Sequence, residues 1–229
     1  MITPFTVGRR PPEGDRGWRT VRIKDISTYV NRGVAPTYVE GDGDTGFVAF
    51  SQKCVLPDGE VNPTLGRSME EPDPGAADSV LREKDIAINS TGTGTLGRAG
   101  MVRSIPPDAP VAVADGHVTI VRAAEDYVLT EFLAYLLTTD AFNVVANECL
   151  AVGSTNQMEL GRDAIRTLGI AIPPLAEQEA LVTLLNAETR RIDDTITELE
   201  SQIALLHEHR EALITAAVTG QLESGRAPS

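Results

Sequence analysis

The stretch Pro173–Gly220, PPLAEQEALVTLLNAETRRIDDTITELESQIALLHEHREALITAAVTG, constrains this chain more than any other. Its apolar residues Ile192, Ile196, Leu199, Ile203, Leu206 and Leu213 advance in steps of four, three, four, three and seven. That is a heptad seam on a helix. Arg210 occupies the skipped position, and Ala217 resumes the seam. The helix opens behind a Pro-Pro pair and stops at Gly220, a residue suited to a C-cap. From about Leu175 to Thr219 it is roughly 65 Å long at ~1.5 Å per residue. A chain of 229 residues offers one medium domain besides the rod. Such a domain cannot bury the rod on all sides, so the seam, with Leu185, must face another helix. On periodicity alone this is a dimerisation stalk.

Composition bounds the rest. A hydrophobic content of 41% supports one real core. No apolar run approaches the ~18 residues of a membrane span. The first residues lack the apolar segment of a signal peptide. Cys54 and Cys149 form no CxxC, so neither a disulfide framework nor a thiolate metal site is expected, and a reducing cytoplasm fits. His207 and His209 lie on different sides of the helix and make no metal pair.

The formal charge is −13, split into −7 for residues 1–172 and −6 for 173–229. Neither part is basic, which argues against nucleic acid at first sight. The distribution is uneven, however. Residues 16–24 carry Arg16, Arg19, Arg22 and Lys24 without an acid, and residues 86–107 carry Arg98 and Arg103 without one. Acids gather in 40–44, 58–60 and 70–85. A locally positive face with an acidic back would bind DNA weakly by itself.

Residues 1–17 read as a flexible lead-in, 18–172 as the domain, 173–220 as the helical region and 221–229 as a flexible tail. Within the domain, short strands are expected near 18–26, 46–51, 86–89, 99–102, 111–114, 117–122 and 168–172. Residues 31–46 read as a loop and 57–78 as a long surface loop. Thr130–Asn147 has the spacing of one helix, with Thr130 as its N-cap. The expected class is α+β: an irregular, mostly-β domain with one packed helix, then a long coiled-coil helix.

The wording of the helix goes further than its period. IAIPPLAEQEALVTLLN, a spacer helix, then REALITAAVTGQL resembles the conserved region of the specificity subunit of type I DNA restriction-modification systems. Asp85–Gly100, DIAINSTGTGTLGRAG, is similar to a family segment in which a strand leads into a polar Gly-rich loop. Gly153–Gln157 with Leu160 is similar to the family's loop after the domain helix. The resemblance implies one target recognition domain followed by one helical region. The usual subunit carries two such units, so this chain is expected to form an antiparallel homodimer. It implies a non-catalytic subunit that reads half of a bipartite duplex target in phage defence. Its partners would be the modification methyltransferase, which carries S-adenosylmethionine, and the restriction nuclease-translocase. No cofactor is expected on this chain.

The residues themselves are compatible. Asn89, Ser90, Thr91, Gly92, Thr93 and Arg98 put short polar groups and a guanidinium on a loop whose glycines allow close backbone approach. On residue type alone an ordinary turn-rich hairpin is the favoured reading, and the resemblance reverses that preference. Ser154, Thr155, Asn156 and Gln157 offer amides that pair with adenine, or else a capping loop. Gln52 and Lys53 follow a strand end where a loop can face DNA. His117 reads as a partly buried, hydrogen-bonded residue.

Enzyme motifs fail on inspection. Asn62-Pro63-Thr64-Leu65 lacks the second proline and the aromatic of an adenine methyltransferase motif. No acid is followed two residues later by lysine, as a Glu-x-Lys nuclease needs. Neither a P-loop nor a Gly-x-Ser-x-Gly elbow is present. The alternative to DNA recognition is a coiled-coil scaffold whose domain binds protein, which the acidic pI of 4.6 favours.

Overall fold

The computed structural model describes residues 5–6, 17–40, 45–153 and 158–221. In chain order they form β1 (Phe5–Thr6), β2 (Arg19–Arg22), β3 (Ser27–Arg32), β4 (Phe47–Phe50), β5 (Arg67–Ser68), β6 (Ile86–Asn89), β7 (Ala99–Met101), β8 (Val111–Ala114) and β9 (Val118–Ala123). Then follow α1 (Thr130–Leu137), α2 (Asp140–Val145), β10 (Ala151–Val152), β11 (Glu159–Leu160), α3 (Arg162–Thr167), β12 (Gly169–Ile172) and α4 (Leu175–Val218). The class is α+β, as expected. The chain divides into two units, Met1–Leu181 and Val182–Ser229. The division falls inside α4, so the first turns of that helix belong with the first unit.

The core of the first unit follows from the run Ile86-Ala87-Ile88, which has no polar alternation. A strand of this kind must be covered on both faces. β6 accordingly lies inside the antiparallel sheet β3-β9-β6-β7, with every residue buried. Ala87, Val118 and Ile120 pack with Phe50, Cys54, Val55, Val102 and Ala114. Ile86, Ile88 and Val121 point the other way and are fully buried. A second sheet, β5-β4-β8, pairs β4 parallel to β8 with Phe50 opposite Ala114. A third, β1-β12-β2, delivers the chain to α4.

One buried ion pair ties this frame together. Arg122 on β9 donates from Nε to Asp85 Oδ1 (2.8 Å) and from Nη2 to Asp85 Oδ2 (3.1 Å). Nη2 also reaches the carbonyls of Asp78 and Val80, each at 2.8 Å. The guanidinium lies 4.6 Å from the centre of the Tyr29 ring.

Several expectations need correction. The single helix over 130–147 is two helices, α1 and α2, followed by a π turn at Ala146–Leu150. The break comes from adjacent threonines. Thr138 and Thr139 donate their hydroxyls to the carbonyls of Tyr135 and Leu136, and Thr139 then caps Phe142 N. Leu129, not Thr130, is the N-cap of α1, and Gln178 Oε1 accepts its N–H at 2.9 Å. Gln178 is fully buried and also donates to the Pro173 carbonyl. With α3, the described residues of the domain hold three short α-helices where one was expected. The loop over 57–78 contributes β5 and a buried Met69. Part of the lead-in is ordered into the core. Phe5 pairs with Ile170, is buried, and its ring lies 5.7 Å from that of Phe142. Otherwise the lead-in, Gly17 excepted, and the tail beyond Gln221 lie outside the described residues.

The second unit is the helix Val182–Val218 with its stop. Gln221 N donates to Ala216 O (2.8 Å) and Gly220 N to Ala217 O (3.3 Å), while Gly220 takes a φ of +74°. This is a Schellman closure, which glycine alone makes without steric cost. The seam residues Leu185, Ile192, Ile196, Leu199, Ile203, Leu206 and Leu213 are 38–67% exposed in the single chain. Among the described residues, no helix is long and apolar enough to cross a membrane.

Candidate nucleic-acid interface

Strand directions gather four segments at one end of the domain. Parallel pairing of β4 and β8 puts the 51–54 turn beside the 115–117 turn. β6 runs antiparallel to β9, so the loop after Asn89 lies against the start of β9. The hairpin β10–β11 joins through Leu160 N to Ser90 O (2.8 Å) and a bridge between Thr91 and Glu159. Arg32 holds this hairpin from below, with Nη1 2.8 Å from Glu159 Oε1 and Nη2 donating to the Leu160 carbonyl (3.1 Å).

The expected DNA-facing residues divide sharply by burial. Asn89 and Ser90 are 0% exposed. Ser90 Oγ is bonded to Thr119 Oγ1 at 2.6 Å, and Asn89 Nδ2 donates to the Gln52 carbonyl at 3.0 Å. These two therefore pin the base of the loop and present nothing to a ligand, which corrects the expectation. The strand ends at Asn89 as expected, but its last residue and the one after it are buried.

Thr91, Gly92, Thr93, Gln52 and Lys53 are at least partly open to solvent. Gln52 Nε2 donates to Thr91 Oγ1, whose hydroxyl lies 2.9 Å from His117 Nδ1. The amide can lie there because residue 92 is glycine. A Cβ at Gly92 (φ +100°) would come within 2.5 Å of Gln52 Oε1 and 2.3 Å of Thr95 Oγ1. Arg98 spans the loop instead of standing free, its Nη1 donating to Val55 O (3.3 Å) and its Nη2 to Gly94 O (3.5 Å). The far end of the loop is fastened to the π turn. Asn147 Nδ2 donates to the Leu96 carbonyl (3.0 Å), and a Cβ at Gly97 would fall 2.8 Å from that of Ala146. Ser154, Thr155, Asn156 and Gln157 lie outside the described residues, between the two strands of the pegged hairpin.

His117 is an addition that sequence reasoning placed elsewhere. It is exposed, and its backbone N–H donates to Asp115 Oδ1 (2.8 Å). Its position at the mouth follows from the tight turn between β8 and β9. Asp115 is 2% exposed, and burial pushes its carboxyl above its ordinary value of 3.8. The carboxylate binds the histidine's backbone and not its ring, so Thr91, His117 and Asp115 do not make a charge-stabilised nucleophile. What the end offers is hydroxyl, amide and imidazole groups for hydrogen bonding. Among the described residues, no three His, Cys, Asp or Glu side chains are placed to hold a metal ion.

No family model matches this sequence, and no curated protein matches it either. Solved structures do. A chain from a structure of the type I R-M system, concerned with its complex assembly and conformational transition, superposes with a TM-score of 0.60 at 18% identity. The match covers 92% of this chain and 47% of that one. The HsdS subunit from Thermoanaerobacter tengcongensis superposes with a TM-score of 0.56 at 20% identity, covering 96% of this chain and 52% of that one. This chain thus spans about half the length of the structures it matches. Domain, hairpin ends and long helix together have the fold of the type I restriction-modification specificity subunits.

Proposed function

We propose that this chain is a DNA-recognition subunit of a type I restriction-modification complex, reading one half of a bipartite target. The observation that carries the reading is the coincidence of that fold with a polar mouth built from four separate segments. The helix seam serves as the partner surface. Two copies pairing antiparallel through Leu185, Ile192, Ile196, Leu199, Ile203, Leu206 and Leu213 supply the second reader. The modification methyltransferase, carrying S-adenosylmethionine, and the restriction nuclease-translocase join this dimer in the cytoplasm. This chain binds DNA without catalysing a reaction.

Two identical readers related by a twofold axis read the same bases on opposite strands. The target is then an interrupted palindrome whose spacer follows the helix length. Removing one heptad shortens the rod by roughly 10 Å at ~1.5 Å per residue, about three base pairs at ~3.4 Å each. Methylation mapping in cells carrying this protein and its methyltransferase tests the reading. A non-palindromic split target refutes the homodimer. Absence of sequence preference in the assembled complex refutes DNA recognition, and favours the protein-binding scaffold that the acidic pI of 4.6 otherwise supports.

A further inference from the structure

We propose that His117 is a base-reading residue, its Nε2 donating to an acceptor on a base edge such as guanine O6 or N7. The inference rests on the DNA-recognition reading and names the side chain that carries part of its specificity. Three loops converge on this ring. Gln52 from the turn after β4 donates to the Thr91 hydroxyl, and that hydroxyl lies 2.9 Å from His117 Nδ1. A hydroxyl that accepts from an amide has its own proton left to give. Thr91 can thus donate to Nδ1, in the tautomer that carries the ring proton on Nε2. The backbone is fixed as well, through His117 N to Asp115 Oδ1 and Ser90 N to His117 O, both at 2.8 Å. An exposed side chain held along one edge, with one ring nitrogen left over among the described residues, is what directional readout requires. A phosphate contact needs no such chain, since charge attracts phosphate from many angles. Thr91 is then a positioning residue that acts through the ring.

The experiment uses the complete complex of this chain with its methyltransferase. Its target is first mapped by methylation, and binding is then measured on duplexes with each base pair of the half-site changed in turn. His117→Ala is expected to lose roughly tenfold discrimination at one base pair, the contribution of a single base-edge hydrogen bond. Other positions and the salt slope stay unchanged. His117→Asn, a milder change at this exposed position, blurs the same base pair. Thr91→Val blurs that pair too, and adds nothing to His117→Ala in the double variant. Unchanged discrimination at every position overturns the proposal. So does a uniform loss of affinity with the salt slope lowered by about 0.9, the mark of a phosphate contact. If the unaltered complex shows no sequence preference, the failure lies with the DNA-recognition reading itself.

Discussion

Replacing Arg122 by alanine removes the fork that joins β9 to the turn before β6. Asp85 is 1% exposed, and both of its oxygens are engaged by the guanidinium. After the change its carboxylate keeps one strong donor, Arg82 N at 2.9 Å. The carbonyls of Asp78 and Val80 lose their donor at the same time. Leaving a buried charge unpaired in this way costs about 3–5 kcal/mol. For a chain of this length that corresponds to a melting point lower by roughly 6–20 °C, at ~2–4 °C per kcal/mol. The pair need not be a net stabiliser, since desolvating both charges offsets most of their attraction. Arg122→Met combined with Asp85→Leu is therefore expected to cost less than Arg122→Ala alone. Denaturant midpoints and calorimetry on the unaltered protein, Arg122→Met, Asp85→Leu and their double variant give the coupling directly. A loss below about 1 kcal/mol for Arg122→Ala, or simple additivity in the double variant, refutes the reasoning.

Leu199→Asp places a charge in the middle of the apolar seam and is expected to cost several kcal/mol of association, read as a loss of dimer mass by light scattering. Arg98→Ala is expected to weaken DNA binding of the complex while leaving the salt slope unchanged, because its guanidinium braces the carbonyls of Val55 and Gly94. A slope reduced by about 0.9 would instead assign Arg98 to a phosphate. Asp115→Asn is expected to stabilise the domain at neutral pH. Burial raises this carboxyl in the folded state, so its favourable contribution is complete below 3.8 and lost as pH rises through the folded value. The gain should shrink toward zero in acid, and a gain independent of pH would remove Asp115 as its source. Gly97→Val is expected to displace the loop from the π turn, since a Cβ there meets Ala146 at a φ of +78°. Loss of amide exchange protection at Leu96 and Gly97 is the measurement.

The long helix was legible because three independent signals agree: a Pro-Pro start, a heptad period and a glycine stop. The central strands were legible because Ile86-Ala87-Ile88 is apolar without interruption and Val118–Val121 is β-branched throughout. Thr130–Asn147 was misread because periodicity does not register two threonine hydroxyls that compete for backbone groups. Ser27–Arg32 mixes polar and apolar residues, and its strand character comes from pairing with β9, far away in sequence. The mouth was half legible for the same reason. Residue type marks Asn89 and Ser90 as polar, but only Thr119 and the Gln52 carbonyl decide that they face inward. His117 looked like a strand residue, and the turn at Asp115–Gly116 brings it to the surface instead.

The hairpin β10–β11 is held by its flanks: Leu160 N on Ser90, the Thr91–Glu159 bridge and the Arg32–Glu159 ion pair. None of these fastenings uses the side chains of residues 154–157. Among the described residues the mount is thus complete without them. A different four-residue insert, or a longer one, leaves these three fastenings in place, so sequence can vary there without rebuilding the sheet.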